Sequence, residues 1–377
     1  MEQAAAKWEG MLVESVEIYI DVREASILEL PFGAVALADV NWYRERPTII
    51  RDALTTDAIS ADDQNAVSHL ALGPRVTFQT WDAEQNVIVN NGDDLINNWI
   101  GMSRAQLFAL DIPLDAPDPN PDATISWSPF TLDKQGDFDR SDGVDGFDFV
   151  GVAMHEIGHV LGFVSGVDDI DVIHAGIVPG VTPDEINEYA VVSILDLFRF
   201  SAESLPLPDL TPGSAAYFSI DGGATSLAEF GTGEFFGNGW QAGHWQNGQG
   251  GVMEAYLFED RIHHLTRLDV RAMDVIGWDV SPAFFGDFDG DGTLTSADIN
   301  ALSAAVRAGD HPSSFDLNLD QRVDDADRTI WVTELKRTYS GDGNLDGEFP
   351  RRPTGSGPCG SACGGSSSHP HRYGRDA

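Results

Sequence analysis

The chain has 377 residues, 42% of them hydrophobic, with 61 Asp and Glu against 22 Lys and Arg, a formal net charge of -39. That balance repels nucleic acid and anionic membranes at neutral pH and favours divalent cations among crowded carboxylates. No apolar run is long enough to span a membrane, and both cysteines, Cys359 and Cys363, lie in the tail, leaving the main body without a disulfide framework or a cysteine ligand.

Residues 4–12 predict a short amphipathic helix. Met1-Glu2-Gln3 lacks the basic start and apolar run of a signal peptide. The helix-like opening Ala4-Ala5-Ala6 points to a true start, and an export signal, further upstream. Val16, Ile18 and Ile20 alternate as in a strand over 13–22, and 27–37 reads as strand and turn. Helices are predicted over 47–54 and 60–72, the second capped by Asp57 or Ser60. Short strands follow at 76–80 and 86–89. Ile96, Trp99, Ile100 and Leu107 have the spacing of one helix over 95–108. The proline- and aspartate-rich 113–121 is loop, and 124–127 is a strand. Asp137, Asp139, Asp142 and Asp145 suit either a structural Ca²⁺ or a solvated turn. Short strands followed by a buried helix predict an α+β or α/β/α arrangement.

The helix in question carries Met154-His155-Glu156-Ile157-Gly158-His159-Val160-Leu161-Gly162. His155 and His159 stand four apart, so both imidazoles leave the same face one turn apart. That spacing suits two nitrogens on one Zn²⁺, and Glu156 beside them suits the base that takes a proton from water. Gly162 lets the chain turn out of the helix. A bare pair of buried histidines is the plainer alternative.

Further on, Thr182-Pro183-Asp184-Glu185 reads as the start of a helix running to Phe198. A strand near Phe218 ends in the turn Gly222-Gly223. The glycine-rich 231–251 carries His244-Trp245, with Val252-Met253 after it, and 266–276 reads as a helix stopping at Gly277-Trp278. Zinc needs a third protein ligand and an open position. Asp168, His174 and His244 are the candidates, while His263 and His264 read as surface or packing residues.

The helix resembles that of metzincin zinc metalloproteases, whose common motif is HExxHxxGxxH or HExxHxxGxxD. Here Ser165 stands where the third ligand should be. Leishmanolysin-type metzincins carry a long insertion before a third His that precedes the Met-turn. That resemblance implies His244 as third ligand, with Asp168 as the alternative, and Met253 as an apolar floor. The order HEIGHVLGF, DGG, HW…GVM and LDVRAMDVIGWDV, spread over Trp8 to Val280, is similar to a group of bacterial secreted metalloproteases. The resemblance implies a secreted zinc endopeptidase acting on protein or peptide, with Tyr256 or a backbone N–H as oxyanion donor. A binding or scaffold protein with a structural metal, and a zinc amidase acting on cell-wall peptides, are the rival readings.

After Pro282 the pattern changes. Asp287, Asp289, Asp291, Thr293 (through its carbonyl) and Asp298 occupy the ligand positions of a twelve-residue calcium loop. Asp316, Asn318, Asp320, Arg322 (carbonyl) and Asp327 repeat it 29 residues on, each loop followed by a helix, at 299–306 and 329–335. Asp at the twelfth position resembles dockerin-type loops, which implies a small all-α module needing Ca²⁺ to fold, serving as a docking element or a stiff spacer. A third loop from Asp342 is incomplete, and the Gly/Ser/His-rich tail reads as disordered. The expected layout is a metzincin-like α+β domain over 1–281, a dockerin-like module over 282–340 and a remnant loop and tail over 341–377.

Overall fold

The computed structural model describes residues 1–14, 16–26, 29–30, 34–70, 73–114, 119–129, 131–132, 136–281, 286–288, 293–309, 311, 315–317, 322–343, 345 and 347. The first half runs α1 (Glu2–Glu9), β1 (Ile20–Glu24), β2 (Ala36–Val40), β3 (Trp42–Glu45), α2 (Pro47–Asp57), α3 (Ala61–His69), β4 (Phe78–Trp81), β5 (Val87–Asn90), α4 (Leu95–Asn98), β6 (Ile100–Ser103), α5 (Arg104–Ala109) and β7 (Ala123–Trp127). Next come β8 (Gly136–Asp137), β9 (Phe147–Asp148), α6 (Phe149–Val160), α7 (Val167–His174), α8 (Ile186–Tyr189), β10 (Val192–Ser193), β11 (Arg199–Phe200), β12 (Tyr217–Phe218), β13 (Ala228–Glu229) and α9 (Arg267–Val275). α10 (Ser296–Ala308) and α11 (Asp325–Ile330) close the described chain. This is a mixed α+β fold of several small sheets, and none of its described helices is long and apolar enough to cross a membrane.

Local chemistry explains most starts and stops. Pro47 opens α2, where its missing N–H costs nothing. Ser60 caps α3 reciprocally with Asp63, and Ser103 caps α5 with Gln106. The helix predicted over 95–108 is instead α4, β6 and α5. Residues 100–103 form the middle strand of the order β10-β6-β3. There the backbone pairs on both sides, and a Cβ on Gly101 would come within 3.2 Å of Val191. Tertiary pairing outweighs the helical spacing. The helix predicted to reach Phe198 also breaks: α8 ends at Tyr189, and Val192–Ser193 leave to pair with β6.

The strand predicted over 13–22 survives only from Ile20. β7 is the centre of its sheet, parallel to β1 and antiparallel to β2, with Ala38 opposite Ile125. β2 is therefore an edge strand. Residues 11–13 pair instead with the segment after α9: Val13 N–H donates to Asp279 O and Ser281 N–H to Met11 O. The beginning of the chain is thus sewn to residues 279–281. α1 packs on α6, with Trp8 buried and its Nε1 donating to Met154 O at 3.0 Å.

A seam of carboxylates lies beside that pairing. Glu14, Asp57 at the end of α2, Asp63 in α3, Asp274 in α9 and Asp279 interact electrostatically with one another. Burial pushes Glu14 and Asp57 up to about 7, Asp63 up to about 6 and Asp274 up to about 8. Ser60 Oγ donates to Asp274 Oδ2, and Arg271 pairs with the neighbouring Asp62. Glu14 Oε2, Asp274 Oδ1 and Asp279 Oδ1 are buried with no hydrogen-bond partner. Without compensation, that many like charges in a half-buried seam favour the protonated forms.

α10 and α11 form a separate small core from Leu302, Ala305, Leu317, Val323 and Trp331. Beyond Ile330 the second helix widens into a π turn, Trp331–Leu335.

Candidate metal centre

α6 is buried nearly all round, which its run of apolar and small residues dictates. Two glycines are required by contact. A Cβ on Gly158 would fall 2.3 Å from Met253 Sδ, so Met253 lies directly under the histidine-bearing turn. Gly162 takes φ +107, and a Cβ there would fall 2.1 Å from Gln106. The turn it permits brings Phe163 O back to His159.

His155, His159 and His244 meet. Their Nε2 atoms stand 3.1 Å (155–159), 3.1 Å (159–244) and 3.2 Å (155–244) apart. His155 Nδ1 lies 2.8 Å from Val252 O and His159 Nδ1 2.6 Å from Phe163 O. A carbonyl oxygen only accepts, so both rings carry their proton on Nδ1 and turn an Nε2 lone pair inward. The Gln241 carbonyl acts on the third ring, although its contact with His244 Nδ1 falls short of a full hydrogen bond. Burial drives all three basicities down, His155 to about 3, His159 to about 4 and His244 well below the ordinary value, so the rings are neutral near pH 7.

Three inward lone pairs repel unless an electron-pair acceptor sits among them. Nitrogens held about 2.0–2.1 Å from a tetrahedral ion stand about 3.3 Å from one another, close to the spacing found. The three residues form a buried cluster able to hold a divalent metal ion, and it is the only such group among the described residues.

Asp168, the alternative third ligand, is not in the cluster. Its carboxylate accepts Ala242 N–H at 2.6 Å and Gly243 N–H at 2.9 Å, steadying the loop that delivers His244. Ser165 donates its hydroxyl to Asp196 Oδ1, and Asp196 also takes Gly166 N–H and Ser193 N–H. The usual ligand position is thus absorbed into a loop scaffold. His174 packs edge-on to Trp81, away from the cluster. His263 is buried against Phe258 O, whereas His264 is exposed.

Asp269 holds the other side. It accepts Trp245 Nε1 (3.0 Å) and Met253 N–H (3.2 Å) on Oδ1, and Val252 N–H (2.9 Å) and both Thr266 donors (2.8 Å) on Oδ2. One carboxylate therefore fixes the residue after His244, the residue whose carbonyl orients His155, and Met253. A Cβ on Gly251 would strike it at 2.4 Å. The helix expected over 266–276 contains Asp269, but nothing in its spacing points to this role. Thr266 and Asp269 have the spacing of a capping box, which shows half of the bonding and none of the contacts made 16 to 24 residues back.

Glu156 is buried, lines the same cleft and is pushed up to about 8 by burial, opposed by the Ala38 N–H of β2. The cleft encloses about 560 Å³ and is lined by Ala34–Val40, by Gly239–Gln241 and Ala255–Leu257, and by the three histidines. Tyr256 stands half-exposed in that lining. Asp137 and Asp139 spend oxygens on the N–H groups of Asp139, Asp145 and Ser141, the pattern of a self-bonded turn.

In the C-terminal module, Asp289, Asp291, Asn318 and Asp320 lie outside the described residues, as do Cys359, Cys363 and the rest of the tail. Among the remaining positions, Asp287 is half-buried, Asp316 buried, and Thr293 and Arg322 exposed. Asp298 and Asp327 are buried and play equivalent parts. Phe288 N–H and Thr295 N–H donate to Asp298, and Leu317 N–H and Asp324 N–H donate to Asp327. No protein-family model, no curated protein and no solved structure matches the chain.

Proposed function

We propose that the protein is a zinc-dependent endopeptidase of metzincin-like architecture. The observation that carries this is the buried Glu156 carboxylate set beside three converging imidazoles in a cleft walled by the edge strand β2. His155, His159 and His244 would hold the ion, and a nitrogen-only set without sulfur suits Zn²⁺. Bound there, Zn²⁺ would supply Lewis acidity and acidify a water molecule.

The chain's own groups do the rest. A neighbouring cation favours the ionised form of Glu156, whose carboxylate oxygen then accepts a proton from the attacking water and passes it to the leaving amine. Ala38 N–H steadies that carboxylate. An extended peptide adds to the outer edge of β2, so main-chain hydrogen bonds hold the scissile bond over the histidines. Tyr256, which lines the same cleft, would be the donor to the developing oxyanion.

We read residues 282–340 as a calcium-binding module. Support comes from the paired donation of N–H groups to Asp298 and Asp327, which repeats at the same 29-residue offset as the acidic loops. Ca²⁺ there would make the small core depend on the ion.

The deciding measurement is hydrolysis of an unfolded protein substrate by the full chain loaded with zinc, with and without chelator. Chelator-sensitive cleavage is the expected result. One zinc per chain with no cleavage of any substrate would leave a purely structural metal.

A further inference from the structure

The following deepens the peptidase reading and rests on it. β2 presents Leu37 and Asp39 on its solvent face, while Ala36 and Val40 are buried on the other. All of them line the cleft. Glu234 and Trp240 are exposed and line it too. The described lining contains no Lys or Arg, and the chain as a whole carries a formal net charge of -39. Asp168, Asp169 and Glu254 also line the cleft, but Asp168 and Glu254 accept backbone N–H groups and Arg44 partly offsets Asp169, so the weight falls on the exposed Asp39 and Glu234.

A strand added to β2 places its side chains directly across from those of β2, on alternating faces. The residue across from Asp39 meets a carboxylate, and the residue two places along, on the same face, meets Leu37. Opposite charges across a strand pair attract, like charges repel, and a cleft with walls of one sign concentrates the opposite sign. We infer that the protein selects extended peptides bearing a Lys or Arg opposite Asp39 and an apolar residue two positions away opposite Leu37. Glu234 adds to the pull on the cation, and Trp240 offers its ring to the same group. Acidic segments are rejected.

The test maps cut sites in a mixed pool of unstructured peptides, using the zinc-loaded full chain at low ionic strength. One position near the cut is expected to show Lys and Arg enriched roughly two- to fivefold over neutral residues, with Asp and Glu depleted and an apolar preference two positions away. Raising the salt should shrink the charge preference and leave the apolar one. Asp39→Lys should reverse the charge preference at that position alone, and Glu234→Gln should weaken it. Asp39 and Glu234 are exposed, so both variants should keep the wild-type melting temperature. Cutting without charge preference, or a preference that Asp39→Lys leaves in place, overturns the inference while the peptidase stands. No cutting at all, with zinc bound at one per chain, overturns the peptidase reading and the inference with it.

Discussion

Two buried clusters of ionisable groups sit in the N-terminal 281 residues, and they are built in opposite ways. The three histidines converge to about one coordination radius, and carbonyls fix the outer nitrogens of two rings. The carboxylates of the seam interact over longer distances, and no three of them bring ligand atoms within 4.8 Å of one another. Crowding of charge alone therefore does not mark a metal site. Convergence with a second layer of hydrogen bonds does. The seam relieves its crowding by holding protons, the histidine cluster by offering electron pairs.

The sharpest way to break that contrast is at the centre. His244→Ala should reduce bound zinc from one per chain to near zero in a metal assay, and retention of full stoichiometry would dissolve the cluster as a site. Next in size, Glu156→Gln should keep the metal but lower kcat by about 10²- to 10⁴-fold. Asp269→Asn should weaken zinc affinity by about 10- to 100-fold, the range for residues that orient ligands. Asp269→Ala would cost more stability, because each buried N–H left without an acceptor costs about 1–3 kcal/mol. A competition titration with a zinc-binding dye, run beside thermal melting, separates the two effects.

The smallest expected effect lies in the pH profile, and it has opposite signs in the two clusters. The seam carboxylates have raised values, so the folded chain binds more protons than the unfolded one from about pH 4 to about 8. Their contribution to stability is complete below pH 4 and is lost as pH rises toward 8. The histidines have lowered values, so theirs is present above about pH 6.5 and is lost as pH falls toward 4. The two slopes oppose each other below pH 6.5, and above it the seam acts with the same sign as Glu156 and Asp168, whose values burial raises to about 8 and about 7. The metal-free protein should lose melting temperature between pH 6.5 and 8, and Asp274→Asn should flatten that decline. An unchanged slope in the variant would remove the seam as its source.

What could be seen in the sequence was local. The i, i+4 histidines, the caps at Ser60 and Thr182, and the Gly162 turn all depend on neighbours within a few residues. Even the departure at Ser165 was visible, though not its bond to Asp196. What escaped were groupings fixed by long-range partners. The helical spacing of 95–108 gave way to pairing with β3 and β10, and Val13, expected to begin a strand, bonds instead to Asp279. The arrival of His244 beside His155, 89 residues earlier in the chain, is long-range too, but there the resemblance pointed to it where spacing could not. Periodicity describes the faces of an element and says nothing about what lies across from them.

Asp168 carries a warning for anyone who hunts ligands by mutation. Two amide hydrogens just ahead of His244 rest on its carboxylate. Removing it would slacken the loop that carries His244 and weaken the hold on an ion there, much as deleting a ligand does. Loss-of-function scanning would score it as a fourth donor. Spectroscopy of a cobalt-substituted sample would report the unaltered three-nitrogen environment and expose the impostor.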